Sequence, residues 1–239
     1  MKNELKNLLV IDIETVSSEN GYDKLSDRIK SLWDKKAAFL RNEEQLSTSE
    51  LFPERAAIYS EFGRVIVISL GYFYSQPGKP LSLRVKSLSS HNEKELLLQF
   101  KSILETKFDQ NNLTLCGHNG KEFDFPYLSR RMLVNQIPIP SILDTSTKKP
   151  WEVNHLDTME MWKFGDRKNF TSLDLLTAIF DIPSSKSDID GSMVTRVYYE
   201  EDGLDRIAKY CSNDVVATAQ LYLRMKCLPL IPEELIEIV

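Results

Sequence analysis

The octapeptide Leu8 to Thr15, LLVIDIET, sets two carboxylates, Asp12 and Glu14, into an apolar run of β type. In an extended strand, residues at i and i+2 project from the same face, so both acids point the same way out of a segment otherwise suited to burial. Acids are depleted in strands, and neighbouring like charges repel unless something neutralises them. Two arrangements accommodate the pattern. One is an edge strand with a solvated acidic face; the other is a strand whose acids meet further groups supplied from elsewhere in the chain.

The chain has 239 residues, 42% hydrophobic and 27% charged, which supports one substantial core and predicts a single domain, 1–239. Its three cysteines, Cys116, Cys211 and Cys227, are odd in number and lack CxxC spacing. That argues against a disulfide framework and against a structural zinc site. The start, MKNELKNLLVIDIE, breaks its apolar run at Asp12 and does not read as a signal peptide. No run reaches the ~18 apolar residues of a membrane span. These features predict a cytoplasmic protein with no membrane partner. A net charge of −5 speaks against non-specific coating of nucleic acid. It is compatible with an enzyme that grips a few nucleotides through a local basic strip and bound cations.

Leu25, Ile29, Leu32, Trp33 and Leu40 roughly follow helical spacing, which predicts a helical insertion at about 17–62. RVIVISLGYFYS and LSLRVKSL are β-rich and separated by the turn signal QPGKP, so they predict a hairpin. Ser90 to Asp109 predicts a helix with Glu93 and Glu95 in its first turn and Leu97, Phe100 and Leu104 on its apolar face. LTLC reads as a short buried strand running into GHNGKEFD. A helix from about Phe125 to Gln136 follows, with Pro126 in its first turn. HLDTMEMW is read as a weaker strand, TSLDLLTAIFDIP as a helix ending before Pro183, and Leu204 to about Met225 as a long helix. Strands alternating with helices after one early hairpin predict an α/β fold around a mixed sheet.

On the last helix Tyr210 and Asp214 stand at i and i+4, one turn apart on one face. They lie beside the apolar stripe of Ile207, Ala208, Cys211, Val215 and Ala219. Alone, the pair is most simply a boundary tyrosine with a solvated aspartate. Asp124, between a loop and a helix, is by itself most simply an N-cap.

In order along the chain, DIET, HNGKEFDFPYL and YCSND resemble the three exonuclease motifs of the DEDD superfamily of 3′-5′ exonucleases, in its tyrosine-bearing branch. The resemblance is greatest to the proofreading domain of family B DNA polymerases and to stand-alone exonucleases related to it. Asp12 and Glu14 match D-x-E, Asn119, Phe123 and Asp124 match N-x(3)-F-D, and Tyr210 and Asp214 match Y-x(3)-D. The histidine branch would carry His five residues before the last Asp, where this sequence has Lys209. The resemblance covers Leu8 to about Met225.

It implies a ribonuclease H-like fold, a mixed central sheet flanked by helices, with the acids converging at one end. It further implies two Mg²⁺ or Mn²⁺ ions, held by Asp12, Glu14, Asp124 and Asp214, with Asp12 bridging both. Glu14 and Asp214 would complete the ion that activates water, and Asp124 would act mainly through ligand waters at the second. Hard cations prefer such oxygen donors, and two of them stabilise both the attacking and the leaving oxygen of a phosphodiester. Tyr210 would orient the attacking water, Asn119 and Phe123 would contact the terminal nucleotides, and the backbone from Ile13 to Thr15 would meet the 3′ end. The implied partner is the 3′ end of a single-stranded nucleic acid, DNA in the first instance, cut to nucleoside 5′-monophosphates.

Alternatives are an enzyme degrading RNA or short oligonucleotides, and a catalytically silent nucleic-acid-binding repair subunit. The presence of all four acids and Tyr210 disfavours the second. A bare acidic Ca²⁺ surface is disfavoured by the lack of EF-hand spacing. Outside the motifs, His118 reads as a structural hydrogen-bonder and His91 and His155 show no obvious partner. Asp157 and Asp174 read as supporting acids or as strand-start and helix-surface residues. Lys163, Arg167, Lys168, Arg130 and Arg131 read as solubilising residues or as a phosphate path.

Overall fold

In the computed structural model, which describes residues 2–43, 45–75, 78–166, 170–183 and 188–239, a short helix α1 (Lys2–Lys6) leads into strand β1 (Leu8–Ser17). Helices α2 (Asp27–Ala37) and α3 (Thr48–Arg55) follow, then the antiparallel hairpin of β2 (Gly63–Tyr74) and β3 (Ser82–Ser89). Next come α4 (Glu93–Lys107), β4 (Thr114–Gly117), α5 (Asp124–Val134), a two-residue β5 (Leu156–Asp157) and α6 (Thr158–Lys163). The chain continues through α7 (Leu173–Ile179), α8 (Val194–Glu200), α9 (Leu204–Met225) and β6 (Ile236–Ile238). One six-stranded sheet results, in the order β5-β4-β1-β2-β3-β6. It is mixed: β1 runs parallel to β4 and antiparallel to β2.

Strand β1 is therefore central, which rules out the solvated edge. Leu9, Ile11 and Ile13 pack under α4 and α5, against Leu97, Phe100, Leu104, Leu128 and Met132. On the opposite face Val10 meets Val215 and Ala219 of α9, and Val16 meets Ile207 and Cys211 of α9 with Val197 of α8. Asp12 and Glu14 share this second face, between two valines. Each fully buried aliphatic residue contributes roughly 2 kcal/mol, against a β-propensity scale spanning only about 1 kcal/mol. The apolar residues therefore carry the strand, and the cost of the acids is left to the charges around them.

Residues 17–62 hold their own small core, in which Trp33 is fully buried among Leu25, Ala37, Leu51, Phe52 and Phe62. Its indole N–H donates to the Thr48 carbonyl at 2.7 Å. The segment is fastened to the sheet at Ala57, whose carbonyl accepts from the Thr15 hydroxyl at 2.9 Å and from the Tyr127 hydroxyl at 2.8 Å.

Several local expectations change. The strand expected over HLDTMEMW shrinks to two residues because the Asp157 carboxylate accepts from the backbone N–H groups of Met159 and Glu160 and starts α6 there. Arg131 does not line a phosphate path. It forms a buried ion pair with Glu93, at 2.6 Å. His91 and His155 both have partners, the Tyr198 hydroxyl and the Ile142 carbonyl. Arg167 and Lys168 lie outside the described residues, and Arg130 is exposed. Among the described residues no helix is long and apolar enough to cross a membrane.

Candidate active site

Helix α9 presents Ile207, Cys211, Val215 and Ala219 to the sheet, all buried. Tyr210 and Asp214 flank this stripe, and the Tyr210 hydroxyl lies near enough to the Asp214 carboxylate for each to shift the other's proton affinity. Cys211 sets the helix against β1. Its thiol donates to Asp12 Oδ2 at 3.2 Å and lies 3.4 Å from the Asp12 carbonyl oxygen. Ligand atoms of Asp12, Glu14 and Cys211 fall within 4.8 Å of one another.

The third contribution arrives through a gap in the sheet. Strand β4 pairs with β1 only as far as Val10, so the Ile13 amide needs another acceptor. It donates to Asp124 Oδ1 at 3.0 Å, across 111 residues of sequence. Asp124 is thus not an N-cap, a position held by Phe123. It is the first residue of α5, where the helix dipole favours a negative charge. Opposite the step from Glu14 to Thr15, the β1–β2 register shifts by a bulge, a device that re-aims strand residues beside functional sites.

Burial and neighbouring negative charge raise the proton affinity of all four acids. Burial and then the charges of Asp124, Glu14 and Asp214 hold the Asp12 carboxyl well above its ordinary range. Burial and the charges of Asp214 and Asp124 do the same to Glu14. Burial pushes Asp124 up to about 7, although its bond from Ile13 opposes the shift. It also pushes Asp214 up to about 6, against the opposing effect of the neighbouring Tyr210 hydroxyl. Burial and the Asp214 charge raise the Tyr210 phenol far above its usual value, so it stays protonated and donates.

Because these carboxyls have raised pKa values in the folded state, their ionisation opposes folding. For Asp124 and Asp214 the penalty is absent well below about pH 4, where both folded and unfolded forms are protonated, and grows as pH rises through about 6 to 7, where the folded carboxyls ionise. Metal-free protein should therefore lose thermal stability as pH rises from about 5 to about 8. Asp124→Asn should flatten that slope relative to wild type, as read by melting curves in EDTA. Parallel slopes would show that Asp124 ionises freely.

The loop before Asp124 is held from outside. Asp157 accepts from the backbone N–H groups of Asn119 at 3.0 Å and of Lys121 at 3.1 Å, besides starting α6. Gly117 and Gly120 pack so closely that a Cβ on Gly117 would sit 3.0 Å from the Gly120 Cα. Asn119 adopts a left-handed backbone, φ 62°, and its buried side-chain oxygen has no partner among the described residues. Phe123 packs on Tyr127 with ring centroids 5.3 Å apart. His118, its pKa lowered by burial, is a neutral linker: Nε2 donates to the Thr171 carbonyl at 3.0 Å and Nδ1 meets the Thr158 hydroxyl at 2.9 Å. Asp174 lies close enough for its charge to reach Asp214.

Asp12, Glu14, Asp124, Tyr210 and Asp214 thus come together, with Asn119 and Phe123 on the adjoining loop. The Ile13 amide is taken by Asp124 and the Thr15 hydroxyl by Ala57. Sequence reasoning missed the contact of Cys211 with Asp12 and the grip of Asp157 on the Asn119 loop. The only signals were the buried stripe and an acid followed by a helix-compatible run. The donor set fits hard divalent cations: four carboxylate side chains, with Asp12 surrounded by negative charge.

Comparison with known proteins agrees with this geometry. Residues 58–230, more than half of the chain, match a family model described as a predicted 3′-5′ exonuclease related to the exonuclease domain of PolB. The match includes Asp124, Tyr210 and Asp214; Asp12 and Glu14 precede it and are brought alongside by β1. The fold is similar to the family B DNA polymerase from the hyperthermophilic archaeon Pyrobaculum calidifontis, with a TM-score of 0.56 and 14% identity over 91% of this chain. The chain spans only 24% of that polymerase. The mixed sheet with flanking helices is thus the ribonuclease H-like α/β fold of a polymerase exonuclease domain. On these grounds the chain belongs to the family of predicted 3′-5′ exonucleases related to the exonuclease domain of PolB.

Proposed function

We propose that the protein is a divalent-metal-dependent 3′-5′ exonuclease that hydrolyses the terminal phosphodiester of single-stranded DNA and releases nucleoside 5′-monophosphates. The observation that carries this reading is the bond from the Ile13 amide to Asp124. It holds a carboxylate from 111 residues away against the backbone between Asp12 and Glu14, close enough for its charge to reach both acids and to feel that of Asp214. Asp12, Glu14, Asp124 and Asp214 would hold two Mg²⁺ or Mn²⁺ ions, which supply Lewis acidity toward the phosphate and lower the pKa of the attacking water.

The remaining work falls to this chain's own groups. Tyr210, kept protonated, orients the attacking water through its phenol and does not take the proton. Asp214, one helical turn away and close enough to shift its proton affinity, is the group placed to orient that phenol. The unpartnered oxygen of Asn119 accepts a hydrogen bond from the terminal nucleotide, because a buried acceptor left unmatched is costly. Phe123 packs on a terminal base. Ile13 and Thr15, pinned by Asp124 and Ala57, present a rigid end of β1 to the 3′ terminus.

The test is to incubate purified protein with linear and circular single strands, labelled on either end where linear, in Mg²⁺, Mn²⁺ or EDTA. Shortening from the 3′ end with either cation, none in EDTA, and an intact circle are expected. Cutting of the circle, or full activity in EDTA, would overturn the proposal. Running DNA and RNA side by side decides the sugar preference, since only contacts to the 2′ position separate them.

A further inference from the structure

Two phenylalanines stand almost in solvent on the connection between α6 and α7: Phe164 is 92% exposed and Phe170 is 70% exposed. Single exposed apolar residues are ordinary, but this pair is tied to the acidic site. His118, adjacent to Asn119, donates to the carbonyl of Thr171, the residue after Phe170. Its other ring nitrogen meets Thr158, at the start of the helix that ends at Lys163. The Lys163 charge reaches His118, and the charge of Asp174, just beyond Thr171, reaches Asp214. Both phenylalanines are therefore carried by a rim suspended from the loop that bears Asn119.

Phe164 also adopts a left-handed backbone, φ 44°, with Gly165 following at φ 89°. A bulky residue in that region is uncommon and strained, and such residues concentrate at binding and catalytic sites.

We propose that Phe164 and Phe170 form a stacking platform for the bases of the single strand leading away from the 3′-terminal nucleotide, with Lys163 meeting the phosphates between them. The occupant is argued from two features: a cation, Lys163, next to Phe164 in the chain and near enough for its charge to reach His118, and continuity with the carboxylate site through the bond from His118 to the Thr171 carbonyl. An aromatic face accepts any base, which an enzyme needs when each cut brings a different base to every position. Bases already stacked in a duplex cannot use the platform, so it would also favour single strands. The inference rests on the proposed exonuclease function.

The test compares KM for a DNA dinucleotide with KM for a single strand of about ten nucleotides, in wild type and in the Phe164→Ala/Phe170→Ala double variant. Phe39→Ala serves as control, since Phe39 is 89% exposed on a different segment. Both target side chains point into solvent, so folding is not at stake. The advantage of the longer strand should shrink roughly tenfold or more in the double variant, as expected for lost base stacks. Phe→Trp replacements should retain it, Phe→Leu replacements should not, and the Phe39→Ala control should match wild type. If wild type cleaves and the double variant keeps the full length advantage, the platform is refuted and the exonuclease reading stands. If wild type neither binds nor cleaves single strands, the exonuclease reading falls and takes the platform with it.

Discussion

Asp12→Asn should reduce single-turnover cleavage by roughly 10³-fold or more, beyond the 10- to 100-fold typical of groups that only orient a metal ligand. Asp12 stands at the centre of the cluster, where the charges of Asp124, Glu14 and Asp214 all reach it. An amide there removes the negative charge that a shared cation needs. The fold should not suffer, because one fewer acid relieves repulsion when no cation is present, and an amide oxygen can still accept from Cys211. Melting in EDTA should stay level or rise while cleavage is lost. A clear fall in the EDTA melting temperature would mean that Asp12 is a structural residue.

Arg131→Met should produce the largest loss of stability. Glu93 receives Arg131 Nε at 2.8 Å and Nη2 at 2.6 Å, the Val65 amide at 2.8 Å and the Asn135 side chain at 2.8 Å. Arg131 Nη1 in turn donates to the Ser60 carbonyl at 2.8 Å. The two side chains are 12% and 8% exposed, so removing the cation leaves an uncompensated, largely buried carboxylate at a cost of about 3–5 kcal/mol. For a chain of this size that corresponds to a fall in Tm of roughly 10 °C. The double variant Glu93→Leu/Arg131→Met should recover only part of the loss, since Val65 and Asn135 would still lack their acceptor. A Tm change within experimental error for Arg131→Met would show the pair to be solvated. This ion pair joins the start of α4 to α5, the helix that begins with Asp124, so it supports the site without touching it.

The site was legible in the sequence wherever local periodicity set the geometry. A strand repeats every two residues and a helix turns every 3.6, so Asp12 with Glu14 and Tyr210 with Asp214 had to share faces whatever the rest of the chain did. The same reasoning bounded α9, since its apolar stripe runs unbroken from Ile207 to Ala219. Mutual arrangement was another matter. Which strand lies next to β1, and where that pairing stops, is decided by the sheet. Only because β4 ends alongside Val10 does the Ile13 amide become available to Asp124, and no period in the sequence encodes a bond across 111 residues. Asp157 shows the limit from the other side: its alternating neighbours suggested a strand, but two helical amides and two loop amides converge on its carboxylate. Arg131 gave no local sign of burial, because its partner Glu93 sits on a different helix and reads as an ordinary first-turn acid. Sequence by itself thus determined which residues stand together within one strand or one helix turn. Tertiary structure decided which of those groups meet, because bringing distant polar groups together depends on sheet order and on burying them where only a specific partner offsets the lost water.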